Sequence, residues 1–174
     1  MTQAQAPAST VDRAFVEDFL PRWLEAWNSH TPERLLALMT DDIVYNDAAW
    51  PQTMHGHSDV REFLNHAWTG LPDLRFEAKD GPFLHPTQPQ ATVSWRGSAT
   101  HTGPIDPPGL APTGRRLEFE GFDWHLYRDG KVARLWICFD MGAVMRDLGV
   151  LPPPGSREER LTAKLSNLRA KLRR

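Results

Sequence analysis

The spacing of apolar residues changes once along this chain, and that change restricts the folds open to it. Before about residue 73 the apolar residues recur every three or four positions; after it they alternate. Phe15, Phe19, Trp23 and Trp27 recur every four residues within VDRAFVEDFLPRWLEAWNS, which predicts a helix with one broad aromatic face. Pro21 falls inside it and is expected to kink or split it. A second helix is expected to start with Thr31 as N-cap and Pro32 at its first position, with Leu35, Leu36, Leu38 and Met39 facing the core. DDIVYND then reads as a short strand and residues 48–57 as a loop. Ser58 is expected to cap a third helix that turns Val60, Phe63, Leu64 and Trp68 inward. Four strands follow, at 74–80, 90–102, 115–128 and 131–140, with a loop of four Pro and three Gly at 103–114. Helices first and then an antiparallel meander is an α+β pattern, with helices packed on one face of a curved sheet.

The last two strands raise a chemical question. Asp129-Gly130 is a two-residue turn signal, so FDWHLYRDGKVARLWICFD reads as a hairpin. Strict pairing around that turn sets Arg128 against Lys131, His125 against Arg134, Asp123 against Trp136 and Phe119 against Asp140. Asp123, His125 and Tyr127 then share a face with Arg134, Trp136, Cys138 and Asp140. Phe122, Trp124, Leu126, Leu135, Ile137 and Phe139 share the other. Both faces are expected to be covered, one by helices and a cavity, the other by a second subunit, which points to a homodimer.

Composition narrows the class. The length of 174 residues fits one domain over residues 11–152, between a disordered leader (1–10) and a basic amphipathic helix (153–174). That tail carries seven Arg and Lys against two Glu from residue 157 onward, a net +5, so the other 156 residues carry −7 of the total −2. Leu161, Leu165, Leu168 and Leu172 form one stripe on it, expected to pack on the domain or on a second subunit rather than on nucleic acid. No apolar run approaches the ~20 residues of a membrane span. Cys138, the single cysteine, excludes an internal disulfide and a multi-cysteine zinc site, and reads as a buried, inert thiol. A cytoplasmic location is the default. His55-Gly56-His57 lacks a third ligand for a metal. Phosphate-cradling Gly loops, dinucleotide fingerprints and GxSxG elbows are missing from the sequence, so no cofactor is expected. Seven Trp against two Tyr suggest flat apolar surfaces, in a core or around a flat organic ligand.

Several stretches together carry a resemblance: WLEAWNSHTPERLLALMTDDIVYND, GHSDVREFL, LPDLRFE, ATHTG with PTGRRLEFEGFDW, and YRDGKVARLWICFDMGAVMRDLGVLP. Over about residues 15–152 the chain resembles a SnoaL-like polyketide cyclase of the nuclear transport factor two-like superfamily. The resemblance implies a cone-shaped half-barrel with a pocket between helices and sheet. It implies cofactor-independent chemistry: an Asp at the end of the last long strand removes a proton beside a carbonyl and triggers aldol-type cyclisation or isomerisation of a cyclic or aromatic substrate. Asp140 matches that Asp by its place in WICFDMGAVMRDLG, and His125 is the candidate for a His that holds or protonates the carbonyl oxygen. Leu135 stands where members of the family often carry His. On the residues alone, Asp140 reads first as the N-cap of the segment MGAVMRDLG, and the resemblance is what favours the base.

Tyr45 and Asp47 alternate to one face of a strand whose end borders the pocket in related folds. Trp50, in a loop before Pro51, suits a pocket lid. Trp68, Trp95 and Trp136 are core residues that can also floor a cavity. His101 shares a strand face with Trp95 and Ala99, and Asp123 shares one with His125. These eight are the expected substrate contacts. A hydroxylase or hydrolase on the same fold, or a binding module without catalysis, would use the same pocket.

Overall fold

The computed structural model describes residues 10–106 and 109–172, so the leader, apart from Thr10, lies outside the described residues. Helix α1 spans Arg13–Asn28 and begins where the Phe15 N–H donates to Asp12 Oδ1 at 2.7 Å. Val16, Phe19, Trp23, Ala26 and Trp27 are buried. Pro21 neither splits nor ends the helix. It lies on the exposed side, as does Glu17, so the Glu17 carbonyl that loses its N–H partner can turn to water. Helix α2 (Pro32–Leu36) is a single turn, and Met39 opens β1 (Met39–Asp47) instead of closing the helix. Thr31 turns its hydroxyl back to the Ser29 carbonyl at 3.1 Å and caps nothing with its side chain. Strand β2 (Met54–His55) leads into α3 (Gly56–Gly70). That helix starts two residues before Ser58, and the Asp59 carboxylate accepts from the His55 N–H at 2.9 Å.

Strands β3 (Arg75–Ala78), β4 (Phe83–Leu84), β5 (Gln90–Thr100), β6 (Arg116–Arg128) and β7 (Lys131–Phe139) follow, then α4 (Met141–Asp147) and α5 (Arg157–Leu172). The sheet runs β2-β1-β7-β6-β5-β3, with β4 also on β5. Every pairing is antiparallel except β1 with β7, which is parallel and brings Asp47 at the end of β1 beside Ile137 in the last third of β7. The helices α1 to α3 cover the concave side.

The hairpin has its expected turn and a different register. Asp129 and Gly130 both adopt positive φ, 52° and 74°, as a tight hairpin turn requires. Arg128 pairs with Lys131 and Tyr127 with Val132, but Leu126 pairs with Arg134. One extra residue is accommodated at Val132–Ala133, both buried. This bulge inverts the parity of β7 relative to β6. His125 now opposes Leu135 and Asp123 opposes Ile137, all facing the helices. Phe122, Trp124 and Leu126 share the outer face with Arg134, Trp136 and Cys138. Trp136 is 57 % exposed there, and Cys138 is only partly buried. The expected face-sharing of His125 with Trp136 and Asp140 is therefore corrected by one residue.

Candidate active site

Between the helices and the concave sheet lies an apolar chamber of about 110 Å³, walled by Trp27, Phe63, Phe76, Trp95, Ile137 and Phe139 among others. It opens through Ala49, Leu71, Ile105 and Phe119 into a vestibule of about 390 Å³. Trp50 and the α4 residues Met141, Val144 and Met145 line that mouth. Few polar side chains reach the inner chamber, chiefly Asp47 from the end of β1 and His66 from α3. Asp123 borders a small recess beneath it, bounded also by Trp23, Trp27, Trp95 and Ile137.

Asp47 is held from two sides. The Tyr45 hydroxyl donates to its Oδ2 at 2.8 Å and the Ala49 N–H to its Oδ1 at 2.8 Å. Burial among the aromatic walls disfavours the charge, and these bonds only partly offset that, so its pKa is raised to about 6. Tyr45 is fully buried, edge-on to Phe63, and burial together with the Asp47 charge drives its own pKa well upward. Its hydroxyl is thus a fixed donor.

Asp123 is the centre of a second, deeper network. Trp95 Nε1 donates to Oδ1 at 2.6 Å and Trp23 Nε1 to Oδ2 at 3.1 Å, while His125 Nε2 lies 3.3 Å from Oδ2. His125 Nδ1 meets the Tyr127 hydroxyl at 2.8 Å. His125 lies behind the chamber wall: its ring is 4.9 Å from Trp23 and 5.4 Å from Tyr127, and it is 1 % exposed. Trp95 reaches Asp123 only because residue 121 is glycine. A Cβ there would stand 2.6 Å from the Trp95 ring.

The other expected contacts divide. Trp50 sits at the mouth, edge-on to Phe63 (5.6 Å) and His66 (5.2 Å). Trp68 packs away from the chamber, stacked on His30 at 5.2 Å. His101 is fully buried and pins the long loop: its Nδ1 accepts from the Thr113 N–H at 3.3 Å and lies 3.0 Å from the Thr113 hydroxyl. Trp136 faces outward. Asp140 also faces outward, because it follows the inward Phe139 by one residue. It is exposed and accepts from the Ala143 N–H at 2.9 Å as the N-cap of α4, and it borders a shallow outer groove with Phe122 and Cys138. The chamber positions on that strand are held by Ile137 and Phe139. Asp140 and His125 thus do not converge on one space. Asp140→Ala is expected to cost about 1 kcal/mol of stability, as loss of a cap does, measurable by denaturant titration, and to leave ligand binding unchanged.

His66 and Phe119 were not among the expected contacts. His66 flanks the α3 stripe, three residues past Phe63, and the alternation that turns Asp123 inward also turns Phe119 inward.

The α+β cone is the fold of a solved protein from Catenulispora acidiphila described as having a ketosteroid isomerase-like fold (16% identity, TM-score 0.59, covering 77% of this chain and 94% of that one). The model of the SnoaL-like polyketide cyclase family matches residues 17–148, and the chain belongs to that family. Among solved structures it resembles AclR from Streptomyces galilaeus, described as a candidate hydroxylase (22% identity, TM-score 0.68, covering 93% of this chain and 98% of that one). It also resembles TsrD from Streptomyces laurentii (26%, 0.65, 81% and 99%). A third likeness is to TerC, co-crystallised with polyporic acid (19%, 0.59, 78% and 98%). No curated protein sequence matches significantly.

Proposed function

We propose that this protein binds a flat, mainly apolar aromatic or polycyclic carbonyl compound and transfers a proton at the carbon beside the carbonyl, leading to aldol-type cyclisation or isomerisation. The observation that carries this reading is Asp47: a carboxyl with a pKa of about 6, held by two hydrogen bonds inside an apolar chamber. Such a group is mostly ionised at neutral pH yet basic enough to take a carbon-bound proton. Asp47 therefore takes the role of base that the resemblance gave to Asp140. His66, on the same chamber, is the donor for the enolate oxygen in place of His125. Trp27, Trp95 and the Phe walls stack on the rings, and exclusion of water strengthens the charge interactions. The polyporic acid of TerC is a ligand of the flat aromatic kind such walls suit.

The chemistry asks only for proton transfer, which side chains supply without a cofactor. We place the protein in the cytoplasm, where its lone thiol needs no partner, and as a homodimer through the outer sheet face. Among the described residues no helix is long and apolar enough to cross a membrane.

The test uses 2-tetralone, a bicyclic ketone, as probe. The protein in deuterated buffer is expected to accelerate exchange of the protons beside the carbonyl, followed by NMR, and Asp47→Asn to abolish the acceleration while the probe still quenches Trp fluorescence. Binding without any accelerated exchange would leave a binding module instead of an enzyme.

A further inference from the structure

Helix α5 is well specified locally and unsupported globally. The Glu159 N–H donates to Ser156 Oγ at 3.1 Å and Glu159 Oε2 accepts from the Gly155 N–H at 2.6 Å, a reciprocal cap. Acidic residues open the helix and basic ones close it, as its dipole favours. Yet Leu161, Leu165, Leu168 and Leu172 are 59, 53, 56 and 78 % exposed, and no residue of α5 is buried. Pro152, Pro153 and Pro154 precede it and stiffen its departure from the body. A 16-residue helix alone is marginal in water and requires a partner for its apolar stripe.

The body has the matching defect. Its outer sheet face exposes Phe122 (48 %) and Trp136 (57 %), with Trp124, Leu126 and Cys138 only partly covered between them. We infer that α5 of one copy lies across this face of a second copy, so that two chains exchange tails. The inference rests on the homodimer reading above and adds what fills the interface.

Three observations favour this occupant. The tail carries +5 and the rest of the chain −7, so long-range attraction draws each tail toward the other body, with Arg134 on this face opposing it locally. Two tails zipped together are disfavoured, because Lys164, Arg169 and Lys171 flank the leucine stripe and would face like charges. The lengths also agree: 16 helical residues span roughly 24 Å, enough to cross β5, β6, β7 and β1 at about 4.8 Å per strand spacing. The negative body also works against docking of the tail on an anionic lipid surface.

The test is complementation in the full chain. L165E/L168E spoils the tail and F122E/W136E spoils the face. All four side chains are exposed, so far-UV circular dichroism is expected to stay native. Wild type is expected to be a dimer by sedimentation equilibrium, with each double variant weakened at least about 100-fold. An equimolar mixture of the two variants is expected to regain dimers, since one intact tail then meets one intact face. If L165E/L168E dimerises like wild type, the tail exchange is wrong and the sheet-face dimer stands. If the two variants are monomeric and their mixture stays so, the exchange is wrong as well. If wild type is monomeric at about 100 µM, the dimer reading fails and the exchange with it. Co-sedimentation of that monomer with phosphatidylglycerol vesicles, lost in L165E/L168E, would then assign the leucine stripe to lipid.

Discussion

Asp47→Asn is expected to lower kcat/KM for the proton-transfer step by about 1,000-fold, the central size of a general-base contribution, while probe affinity changes only a few-fold. The amide is isosteric. It still accepts from the Ala49 N–H, while its Nδ2 can only donate to the Tyr45 hydroxyl, so the basic lone pair is lost together with the acceptor for that hydroxyl. The wild-type pH profile is the second readout. With a pKa of about 6, kcat/KM is expected to rise through pH 6 and level off above it, since the ionised form is the base. The residual rate of D47N is expected to lack that inflection.

The same substitution is expected to stabilise the protein, which separates it from ordinary damage to a core. The carboxyl is held at about 6 in the fold against 3.8 for the unperturbed group. The folded state therefore binds the proton more tightly than the unfolded chain. Below about pH 4 both states are protonated and no penalty exists. As pH rises from about 4 to about 6 the unfolded chain ionises first and the folded state comes to carry a half-buried charge, so stability falls by at most about 3 kcal/mol and then levels off. Asn carries no charge at any pH. D47N is expected to match wild type in melting temperature at pH 4 and to exceed it at pH 7.5. A function-bearing residue that costs stability is the usual sign of a site held for chemistry. Equal melting temperatures at both pH values would mean that Asp47 is not strained by its surroundings and has no reason to be a tuned base.

Much of this arrangement was legible in the residues before any coordinates. The four-residue aromatic spacing of α1 marks the helix face that packs on the sheet, of which Trp27 reaches the chamber, and Tyr45-x-Asp47 marks two side chains on one strand face, as they are. The family resemblance and the α+β pattern agreed on the cone. What could not be read was parity. Alternation is decisive only while a strand stays regular, and a bulge resets it. Val132 and Ala133 are both small enough and apolar enough to sit on either face, so the sequence offers no mark of which one is extra. That single residue separates Asp140 from His125. It turns Trp136 to the outside and puts Ile137 on the chamber. Pro21 misled for a related reason: the cost of a helical proline depends on whether the freed carbonyl meets water, which is a matter of exposure, not of identity. The leucine stripe of α5 was plain in the sequence, but a stripe names a need for a partner and not the partner itself.

The largest stability effect is expected at Asp123. Its carboxylate is 3 % exposed and accepts from two indole N–H groups that nothing else in the chamber wall could satisfy as well, with His125 beside it. Asp123→Ala leaves both Trp23 Nε1 and Trp95 Nε1 buried without an acceptor and opens space beneath the chamber. Each orphaned donor costs about 1–3 kcal/mol, so a loss of about 3–5 kcal/mol is expected, measurable by urea denaturation. Asp123→Asn keeps the shape and one acceptor oxygen, and can serve one indole but not both, so about half that loss is expected. The consequence for the site is positional. Trp95 is oriented by Asp123 and given its space by Gly121, so its ring is a fixed wall of the chamber only while that carboxylate is in place. D123N is therefore expected to broaden and red-shift Trp emission and to raise KM for a flat ligand more than it lowers kcat, whereas D47N lowers kcat with KM nearly constant. If D123N instead lowers kcat as deeply as D47N with KM unchanged, Asp123 takes part in the proton transfer itself, and the base is shared between the two carboxylates.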